Sequence, residues 1–509
     1  MTSVCPFFGS SMATLPVEAK LSIGTAKPLR GHRANHWAKP CIPTPHDLYP
    51  KMMNDLQQRL ASIVKAYDVR GTFPDEIDAQ VAHRLGLAFA AFLHEDDPNG
   101  DRVLVGHDMR PSGPELAGAF TEGLRSRGFS VVDLGLISTD QMYFAAGSLD
   151  APGAIFTASH NPAGYNGIKM CRKGAAPVST PGLEFMRDYA GSVDPDTLGD
   201  AVPGSLEQRD VLADFVAHVH SFIDVSALRP LKVVIDTANG MGGLVAPATF
   251  ADLPIELDHL YPELDGTFPN HPADPIQPEN LKDLQARVLE LHADIGLAFD
   301  GDADRVFIVD EKAQPISGSI TTAMVAAAVL RAEPGATILH NLICSKTVAE
   351  VITERGGTPV RTRVGHSFIK GTMAETGAAF AGEHSGHYYF RENYRADSGL
   401  IASLVVLEML SKADAPLSEL RQPFDRYVAS GEINTTVKDI DAVIEAVAEH
   451  FADLGATSDR LDGLTVDMGD WWFNLRASNT EPLLRLNLEA RTQAECDAHV
   501  GEVQALMTR

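Results

Sequence analysis

Short apolar, β-branched runs alternate with helical segments over most of this 509-residue chain. The predicted strands are Val103–Gly106, Ser130–Leu134, Ala154–Thr157, Lys232–Asp236, Ile295–Phe299, Val306–Val309 and Thr337–His340. Helical patterns lie between them at Glu76–Phe92, Pro114–Arg127, Ser319–Leu330 and Ser345–Arg355. Alternation of this kind is typical of α/β domains, in which helices connect parallel strands. It therefore predicts an α/β fold for most of the chain.

Polar, Pro/Gly-containing stretches divide the chain into blocks, and its length is enough for roughly three to five domains. We predict four domains at residues 54–205, 206–311, 312–424 and 425–509, after a disordered tail at 1–53. The last block has a different pattern and predicts an α+β domain with a mostly antiparallel sheet. Its predicted elements are the helix Asp441–Asp453, the strands Leu464–Met468, Trp472–Arg476 and Leu483–Glu489, and a final helix from Gln493.

The chain is acidic, with 42 Lys+Arg against 68 Asp+Glu and a formal net charge of −26. A net-negative surface argues against nucleic acid and anionic membranes as partners, because both are polyanions. No stretch approaches the roughly 20 apolar residues of a membrane span. The five cysteines form no C-x-x-C pair, which suits a reducing compartment and predicts a cytoplasmic protein.

Three carboxylates alternate along the segment Asp300-Gly-Asp-Ala-Asp-Arg305, between two apolar strands. On extended backbone such side chains project to one side, so we expect them to converge on one hard cation. Arg305 stands where a calcium-binding EF-hand loop requires glycine, which favours Mg²⁺. A solvated acidic turn is the alternative, and the apolar strands on both sides disfavour it.

Ser159 lies in the segment Thr157-Ala-Ser-His-Asn-Pro162, directly after a buried-looking strand. Ligands of α/β proteins bind at the carboxyl ends of strands. The segment lacks the G-x-S-x-G pattern of a hydrolase elbow. A serine beside a carboxylate metal site favours phosphoryl transfer instead. Taken alone, His160 and Lys169 read as a structural histidine and a surface lysine.

Two further segments carry polar groups suited to a sugar phosphate. Arg476-Ala-Ser-Asn-Thr-Glu-Pro482, followed by Arg485, offers guanidinium, hydroxyl and amide donors for a phosphate dianion. Gly382-Glu-His-Ser-Gly-His387 offers Glu383 and Ser385 to sugar hydroxyls. Ordinary polar turns are the alternative for both. Together with Tyr67-Asp-Val-Arg-Gly71, the ordered segments resemble the α-D-phosphohexomutases, closest to the phosphomannomutase/phosphoglucomutase group, from about residue 62 to 509.

The resemblance implies four domains around a central cleft: three related α/β domains and a C-terminal α+β domain like the TATA-binding protein. It implies an isomerase in which a phosphoserine exchanges phosphate with a hexose phosphate through a hexose 1,6-bisphosphate. The implied ligands of one Mg²⁺ are Ser159, Asp300, Asp302 and Asp304. The implied catalytic residues are Ser159, His160, Lys169, Arg70 and Arg305. The implied substrate-binding residues are Tyr67, Lys346, His366, Glu383, Ser385, His387, Arg476, Ser478, Asn479, Thr480 and Arg485.

Within this set, Arg305 is expected to neutralise the phosphoryl group in transfer, and Arg70 and Lys169 to assist proton movement. Two positions depart from the family pattern. Ala303 stands where the family often has glycine, and His107 stands where it commonly has arginine. Ala303 leaves the implied metal ligands intact. His107 puts in doubt any role for a charged side chain at its position.

Hexose phosphates are the expected small-molecule partners, with mannose favoured because the run from His384 to Phe390 resembles the phosphomannomutase group. Glucose phosphates are expected as well, since a loop that grips the 3- and 4-hydroxyls discriminates little at the 2-hydroxyl. The alternatives are a phosphoglucosamine mutase, a phosphoserine-using hydrolase and a non-catalytic sugar-phosphate sensor. Monomer and homodimer are both compatible with the sequence.

Overall fold

The computed structural model describes residues 55–65, 68–199, 201–477 and 483–508, which form four β-sheets in chain order. The predicted tail at 1–53 lies outside the described residues. So do four residues predicted for the site, namely Tyr67, Ser478, Asn479 and Thr480. We refer to each sheet with its helices as the first to the fourth domain.

The first domain contains a six-stranded sheet. Its strands are β1 (Val69–Thr72), β2 (Arg102–His107), β3 (Ser130–Leu136), β4 (Gly153–Phe156), β5 (Tyr165–Cys171) and β6 (Leu206–Gln208). Its helices are α1 (Asp55–Ile63), α2 (Ala79–Asp96), α3 (Gly113–Arg125), α4 (Thr139–Ser148) and α5 (Thr180–Ser192). The spatial order is β1-β5-β4-β2-β3-β6.

The second domain has a five-stranded sheet in the order β11-β10-β9-β7-β8, with strands β7 (Leu231–Asp236), β8 (Ile255–Leu260), β9 (Ile295–Phe299), β10 (Val306–Asp310) and β11 (Pro315–Ile316). Its helices are α6 (Leu212–His220), α7 (Gly242–Phe250) and α8 (Lys282–Leu291). The third domain has the strands β12 (Thr337–Asn341), β13 (Thr358–Thr362), β14 (Phe380–Gly382) and β15 (Tyr388–Phe390). Its helices are α9 (Gly318–Ala332), α10 (Lys346–Glu354), α11 (His366–Thr376), α12 (Gly399–Lys412) and the short α13 (Leu417–Leu420).

The fourth domain is built on an antiparallel sheet, as predicted. Its strands are β16 (Val428–Thr436), β17 (Thr457–Asp459), β18 (Leu464–Asp467), β19 (Trp472–Ala477) and β20 (Leu483–Ala490). Its helices are α14 (Ile440–Asp453) and α15 (Gln493–Met507). The predicted succession of three α/β domains and one α+β domain is therefore confirmed.

The sheets of the first three domains are mixed, which corrects the expectation of purely parallel units. β4 and β5 are antiparallel, as are β9 and β10, and β14 and β15. Each of these pairs encloses one of the chemistry-bearing segments, and β19 and β20 enclose the fourth. The segments are thus hairpin connections and not strand-to-helix turns.

The largest apolar cluster extends through the first three domains. It includes Leu104 and Phe144 of the first, Val233 of the second, and Ile338 and Leu404 of the third. Burial of this shared apolar surface fixes the loops of these domains relative to one another. The fourth domain has a cluster of its own, formed by both of its helices and its sheet.

Asp140 joins the first and third domains at the N-termini of α4 and α12. Its carboxylate is fully buried, and it accepts hydrogen bonds from the hydroxyls of Ser138 and Ser398 and from the backbone N–H of Gln141. Ser138 and Ser398 are also the N-cap residues of the two helices. Burial raises the pKa of Asp140 to about 7, because an ionised carboxylate is poorly solvated there.

This raised pKa predicts a pH dependence of stability. The folded pKa of Asp140 lies above the unfolded value of about 3.9, so the folded state binds the proton more tightly. Its contribution to the free energy of unfolding should fall between about pH 4 and pH 7, by up to about 1.4 kcal/mol per pH unit. We expect Asp140→Asn to gain stability relative to the wild type from pH 5 to pH 7.5, as measured by urea unfolding. If the free energies of unfolding of the two proteins changed in parallel with pH, the raised pKa of Asp140 would be contradicted.

No helix among the described residues has both the length and the apolar character needed to cross a bilayer.

Candidate active site

Ser159 lies in the connection between β4 and β5, three residues after β4 ends. Its backbone is left-handed, with φ +50°, and its side chain is buried. A non-glycine residue in this conformation costs about 1–2 kcal/mol, so the surroundings must hold it there. Its N–H donates to Thr157 Oγ1 at 2.9 Å, and its Oγ donates to Asp300 Oδ2 at 2.7 Å. Ser159 therefore faces the carboxylate segment directly, as predicted.

Arg110 holds the Ser159 loop from behind. Its guanidinium, which is almost completely buried, donates to four backbone carbonyl oxygens, those of Ser159, Asn161, Pro162 and Tyr165, at 2.6–2.9 Å. Asp108 pairs with Arg110 at 3.3 Å and also accepts from its backbone N–H. Arg110 is absent from the residues predicted above, because a single arginine after a strand has no distinguishing pattern. The neighbouring His107 instead contacts the carbonyl oxygen of Asp108.

The three aspartates converge, but on a turn and not on extended backbone. Ala303 has φ +63°, and its N–H donates to the carbonyl oxygen of Asp300 at 3.1 Å. One carboxylate oxygen from each of Asp300, Asp302 and Asp304 lies within 4.8 Å of the others, and all three side chains are buried. The predicted cluster is present, and the turn in which Ala303 takes a left-handed conformation brings it together.

Lys169 on β5 lies between two of these carboxylates. Its Nζ is 2.7 Å from Asp302 Oδ2 and 2.6 Å from Asp304 Oδ2. Burial lowers the pKa of Lys169, but the two carboxylates outweigh it and hold the pKa well above the ordinary value. Lys169 is thus a buried cation rather than the surface lysine that its sequence position alone suggests.

Arg305 connects the carboxylates to the Ser159 loop. Its guanidinium lies 2.8 Å from Asp300 Oδ2, and its Nη2 is 3.4 Å from Ser159 Oγ and also contacts His160 Nδ1. Since a guanidinium only donates, Nδ1 is the accepting nitrogen of His160. The charge of Arg305, together with burial, lowers the pKa of His160 to about 2. His160 is therefore neutral.

Gly301 lets the turn that carries the aspartates approach the Ser159 loop closely. A Cβ atom at this position would lie 2.3 Å from the carbonyl oxygen of Ser159, which is far inside van der Waals contact. We expect Gly301→Ala to lower the free energy of unfolding by about 1–3 kcal/mol, since the loops must move apart. Urea denaturation measures this loss.

Gly118→Ala is the matched control, because a Cβ there meets nothing within 4 Å in the middle of α3. It should be neutral or stabilising by about 0.5–1 kcal/mol. Equal stabilities for the two alanine variants would show that the close approach at Gly301 is not needed.

The Glu383 loop reaches the same cluster through His387. Glu383 is buried and accepts hydrogen bonds from Asn341 Nδ2 and from the Tyr389 hydroxyl. Ser385 Oγ lies 3.0 Å from His387 Nδ1, and His387 Nε2 lies 3.8 Å from Asp304 Oδ1. Burial, with the charges of Arg305 and Lys169, holds the pKa of His387 well below its ordinary value. A neutral imidazole therefore connects the predicted sugar loop to the carboxylates.

The other predicted residues either lie near this cluster or form contacts elsewhere in the protein. Arg70 on β1 donates to Asn161 Oδ1 at 2.9 Å and pairs with Asp68 at 2.7 Å, beside the Ser159 loop. His366 is half-buried at the start of α11, and burial, with the charge of Lys370, lowers its pKa. Lys346 is directed to the fourth domain, where its Nζ donates to Asp467 Oδ1 and the Gly469 carbonyl oxygen.

Arg476 and Arg485 face each other across β19 and β20. Both contact the carboxylate of Glu432 on β16, at 3.3 and 3.4 Å. Like charges in direct register repel one another unless an anion lies between them. Among the described residues Glu432 is that anion. The two arginines stand at the base of the connection that contains the predicted phosphate loop.

Comparison with known proteins agrees with this arrangement. Four family models match in chain order: the phosphoglucomutase/phosphomannomutase alpha/beta/alpha domain I at residues 61–187, domain II at 213–314, domain III at 317–427, and the C-terminal domain at 432–505. Together they span the four domains described above.

Similar proteins cover nearly the same part of the chain. The phosphohexose mutases of Xanthomonas campestris pv. campestris are 40% identical over 435 residues, which is 84% of this chain and 95% of the relative. The phosphomannomutase of Salmonella montevideo is also 40% identical, over 84% of this chain and 94% of the relative. A solved phosphoglucomutase/phosphomannomutase family protein from Burkholderia thailandensis superimposes with a TM-score of 0.79 at 35% identity, covering 87% of this chain and 96% of that one. This chain belongs to the phosphoglucomutase/phosphomannomutase family.

Proposed function

We propose that this protein is a reversible phosphohexomutase that interconverts the 1- and 6-phosphates of mannose, and also those of glucose. One observation carries the proposal most directly. Ser159 Oγ donates to Asp300 inside a buried group of three convergent carboxylates, next to Lys169 and Arg305. A serine hydroxyl so placed is suited to carry a phosphoryl group whose charge is offset on all sides.

The residues present fit a magnesium ion. Asp302 Oδ1 and Asp304 Oδ1 are buried and accept no hydrogen bond from any residue in the described ranges. Buried carboxylate oxygens of this kind are costly unless a cation takes them up, and Mg²⁺ prefers oxygen ligands. Asp300, Asp302, Asp304 and the phosphate on Ser159 would hold the ion. When bound, it would offset the charge of the phosphoryl group.

The reaction proposed here passes through a bisphosphate. The phosphoryl group of phosphorylated Ser159 moves to the free 6-hydroxyl of a sugar 1-phosphate, which loses its proton as the new P–O bond forms and the Ser159 O–P bond breaks. The resulting 1,6-bisphosphate reorients, and the phosphoryl group on its 1-oxygen moves to Ser159. The Ser159 hydroxyl loses its proton as its new O–P bond forms, the sugar O1–P bond breaks, O1 regains a proton, and the sugar 6-phosphate leaves. Arg305, with its Nη2 3.4 Å from Ser159 Oγ, stabilises the charge in transfer.

The proton of the attacking hydroxyl needs an acceptor. Lys169 is held protonated by Asp302 and Asp304, and an arginine such as Arg70 does not deprotonate in proteins. We therefore assign these two cations to charge stabilisation. His387 lies between the sugar loop and Asp304, with its Nδ1 3.0 Å from the Ser385 hydroxyl, and we assign the acceptor role to this uncharged imidazole on its position.

The remaining predicted residues bind the substrate in this proposal. Glu383 and Ser385 contact the sugar hydroxyls from the loop between β14 and β15, and His160 supports the Ser159 loop. Arg476 and Arg485 bind the phosphate that is not reacting, exchanging part of their contact with Glu432 for it. Lys346 would bind substrate only after leaving Asp467, so its role depends on a rearrangement between the third and fourth domains.

The function is tested by incubating the protein with mannose 1-phosphate, a trace of mannose 1,6-bisphosphate and Mg²⁺, followed by ³¹P NMR. We expect mannose 6-phosphate, and no product after the metal is removed with a chelator. Free phosphate alone would identify a hydrolase, and no turnover would identify a sensor. Parallel reactions with glucose and glucosamine 1-phosphates decide the preference, and faster turnover of glucosamine phosphate would contradict the mannose assignment.

A further inference from the structure

Thr139 is a buried threonine outside the predicted site residues. It is the first residue of α4 in the first domain, and it is completely buried. Its Oγ1 donates to Asp302 Oδ2 at 2.6 Å, and its backbone N–H donates to the carbonyl oxygen of Asp302 at 3.1 Å. Both hydrogen-bond donors of this residue in the first domain therefore bind one aspartate of the second domain.

The contact also places Asp302 at the N-terminus of α4. The first N–H groups of a helix have no partner within the helix, and the carbonyl oxygen of Asp302 accepts from one of them. The N-terminus carries a partial positive charge, which favours a carboxylate nearby. Helix α4 is itself held by its N-cap, Ser138, and by the buried Asp140 between the first and third domains. Thr139 is therefore a donor in a fixed position.

The two oxygens of the Asp302 carboxylate have different surroundings. Oδ2 accepts from Thr139 Oγ1 at 2.6 Å and from Lys169 Nζ at 2.7 Å, and Thr157 Oγ1 follows at 3.4 Å. Oδ1 is buried and accepts no hydrogen bond from the part of the chain that the structure describes. A buried carboxylate oxygen without a partner is costly, and a cation satisfies it. The protein thus holds Oδ2 and leaves Oδ1 to a metal ion.

We propose that Thr139 is a positioning residue for the metal ligand Asp302. Its hydroxyl holds Oδ2, which fixes the rotation of the carboxylate and directs Oδ1 to the cation. Lys169 alone does not fix the carboxylate, because its Nζ also lies 2.6 Å from Asp304 Oδ2 and is shared between two ligands. Hydrogen bonds that orient metal ligands contribute about 10- to 100-fold to metal affinity. The proposal rests on the function proposed above, which supplies the magnesium site.

The binding test compares Thr139→Val with Thr139→Ser by titration with Mn²⁺, which also takes carboxylate ligands, followed by electron paramagnetic resonance without substrate. Valine has nearly the shape of threonine but lacks the hydroxyl, so we expect the Kd for Mn²⁺ to rise by about 10- to 100-fold. Serine keeps the hydroxyl and should leave the Kd close to that of the wild type. Thr249→Val is the matched control and should keep the wild-type Kd, because Thr249 is completely buried and its hydroxyl donates to the Val245 carbonyl oxygen of its own helix.

Steady-state kinetics give a second measurement. Thr139→Val should need about 10- to 100-fold more Mg²⁺ for half-maximal activity. The kcat at saturating Mg²⁺ and the KM for mannose 1-phosphate should stay near the wild-type values, because Thr139 acts through Asp302 and does not contact the substrate. A lower thermal stability of Thr139→Val with a wild-type Kd for Mn²⁺ would reduce Thr139 to a structural role and overturn the proposal. An equal loss of affinity in Thr249→Val would overturn it as well.

The wild type alone also tests the proposal, even if Thr139→Val does not fold. In crystals grown with Mn²⁺, the ion should bind Asp302 Oδ1 while the Thr139 hydroxyl remains on Oδ2. Coordination through Oδ2 instead, or no binding of Mn²⁺, would overturn the proposal. If the wild type bound Mn²⁺ but lacked mutase activity, the proposed function would be contradicted, and the titration, which needs no substrate, would still decide the role of Thr139.

Discussion

Ser159→Ala should abolish nearly all turnover while leaving the fold intact. Removal of the oxygen that carries the phosphoryl group is expected to lower kcat by about 10⁴-fold or more, as for other covalent nucleophiles. The fold should tolerate the change, because the Ser159 N–H keeps its bond to Thr157 and Asp300 keeps its contacts with Arg305. The measurement is the ³¹P assay described above, with thermal unfolding to verify the fold.

Ser192→Ala is the matched control for this variant. Ser192 is an exposed serine at the end of α5 whose hydroxyl bonds only carbonyl oxygens of its own helix among the described residues. It should keep wild-type activity and incorporate the same amount of phosphate. Full activity of Ser159→Ala would exclude Ser159 as the phosphate carrier and, with it, the mechanism proposed here.

Arg110→Met is expected to impair both stability and turnover. The variant leaves the buried Asp108 carboxylate without its partner and removes the donors to four carbonyl oxygens of the Ser159 loop. Loss of one partner from a buried ion pair costs about 3–5 kcal/mol. A displacement of the loop by about 1 Å would lower kcat by about 10²-fold. Urea unfolding and steady-state kinetics measure the two effects.

Arg187→Met is the control that distinguishes the loss of Arg110 from the loss of an arginine in general. Arg187 pairs on the surface with the neighbouring Asp188, and such pairs contribute about 0–1 kcal/mol. Arg110→Lys should not rescue turnover, because an ammonium cannot reproduce the planar fork that serves four carbonyl oxygens. If Arg110→Met lost stability but kept wild-type kcat, Arg110 would support the fold without positioning Ser159.

Much of the fold was predictable, because the spacing of apolar residues that indicates a helix or a strand lies within one short segment of the sequence. The strand Ile295–Phe299 was predicted with the bounds that the structure has, and the five elements predicted for the fourth domain agree to within about one residue. The strands β16 and β17 of that domain were not predicted. The direction of the strands was not predictable in the same way. The β4–β5 and β9–β10 pairs are antiparallel, and direction depends on pairing between strands and not on the composition of either strand. The exact domain boundaries stay a prediction.

For the candidate site as well, local sequence patterns were predictable and contacts between distant segments were not. Ser159 and the aspartates were identifiable because several unusual side chains stand close together in the sequence. Arg110 was not, since it is a single common residue whose importance arises from burial against distant segments. Lys169 was identified by resemblance, but its pairing with two aspartates needed the β5 strand to be placed beside the carboxylate turn. The roles of the predicted site residues remain proposals.

The apolar core shared by the first three domains has a consequence for how the protein unfolds. Because that cluster crosses all three domains while the fourth keeps its own, the chain should melt as two cooperative units and not as four. Contacts between the third and fourth domains include polar ones, such as Lys346 with Asp467 and Arg361 with Asp459, and polar interfaces couple domains weakly. Differential scanning calorimetry should therefore resolve a small transition for residues 428–508 and a larger one for the rest. A single transition with equal calorimetric and van't Hoff enthalpies would indicate that the fourth domain is held as firmly as the others.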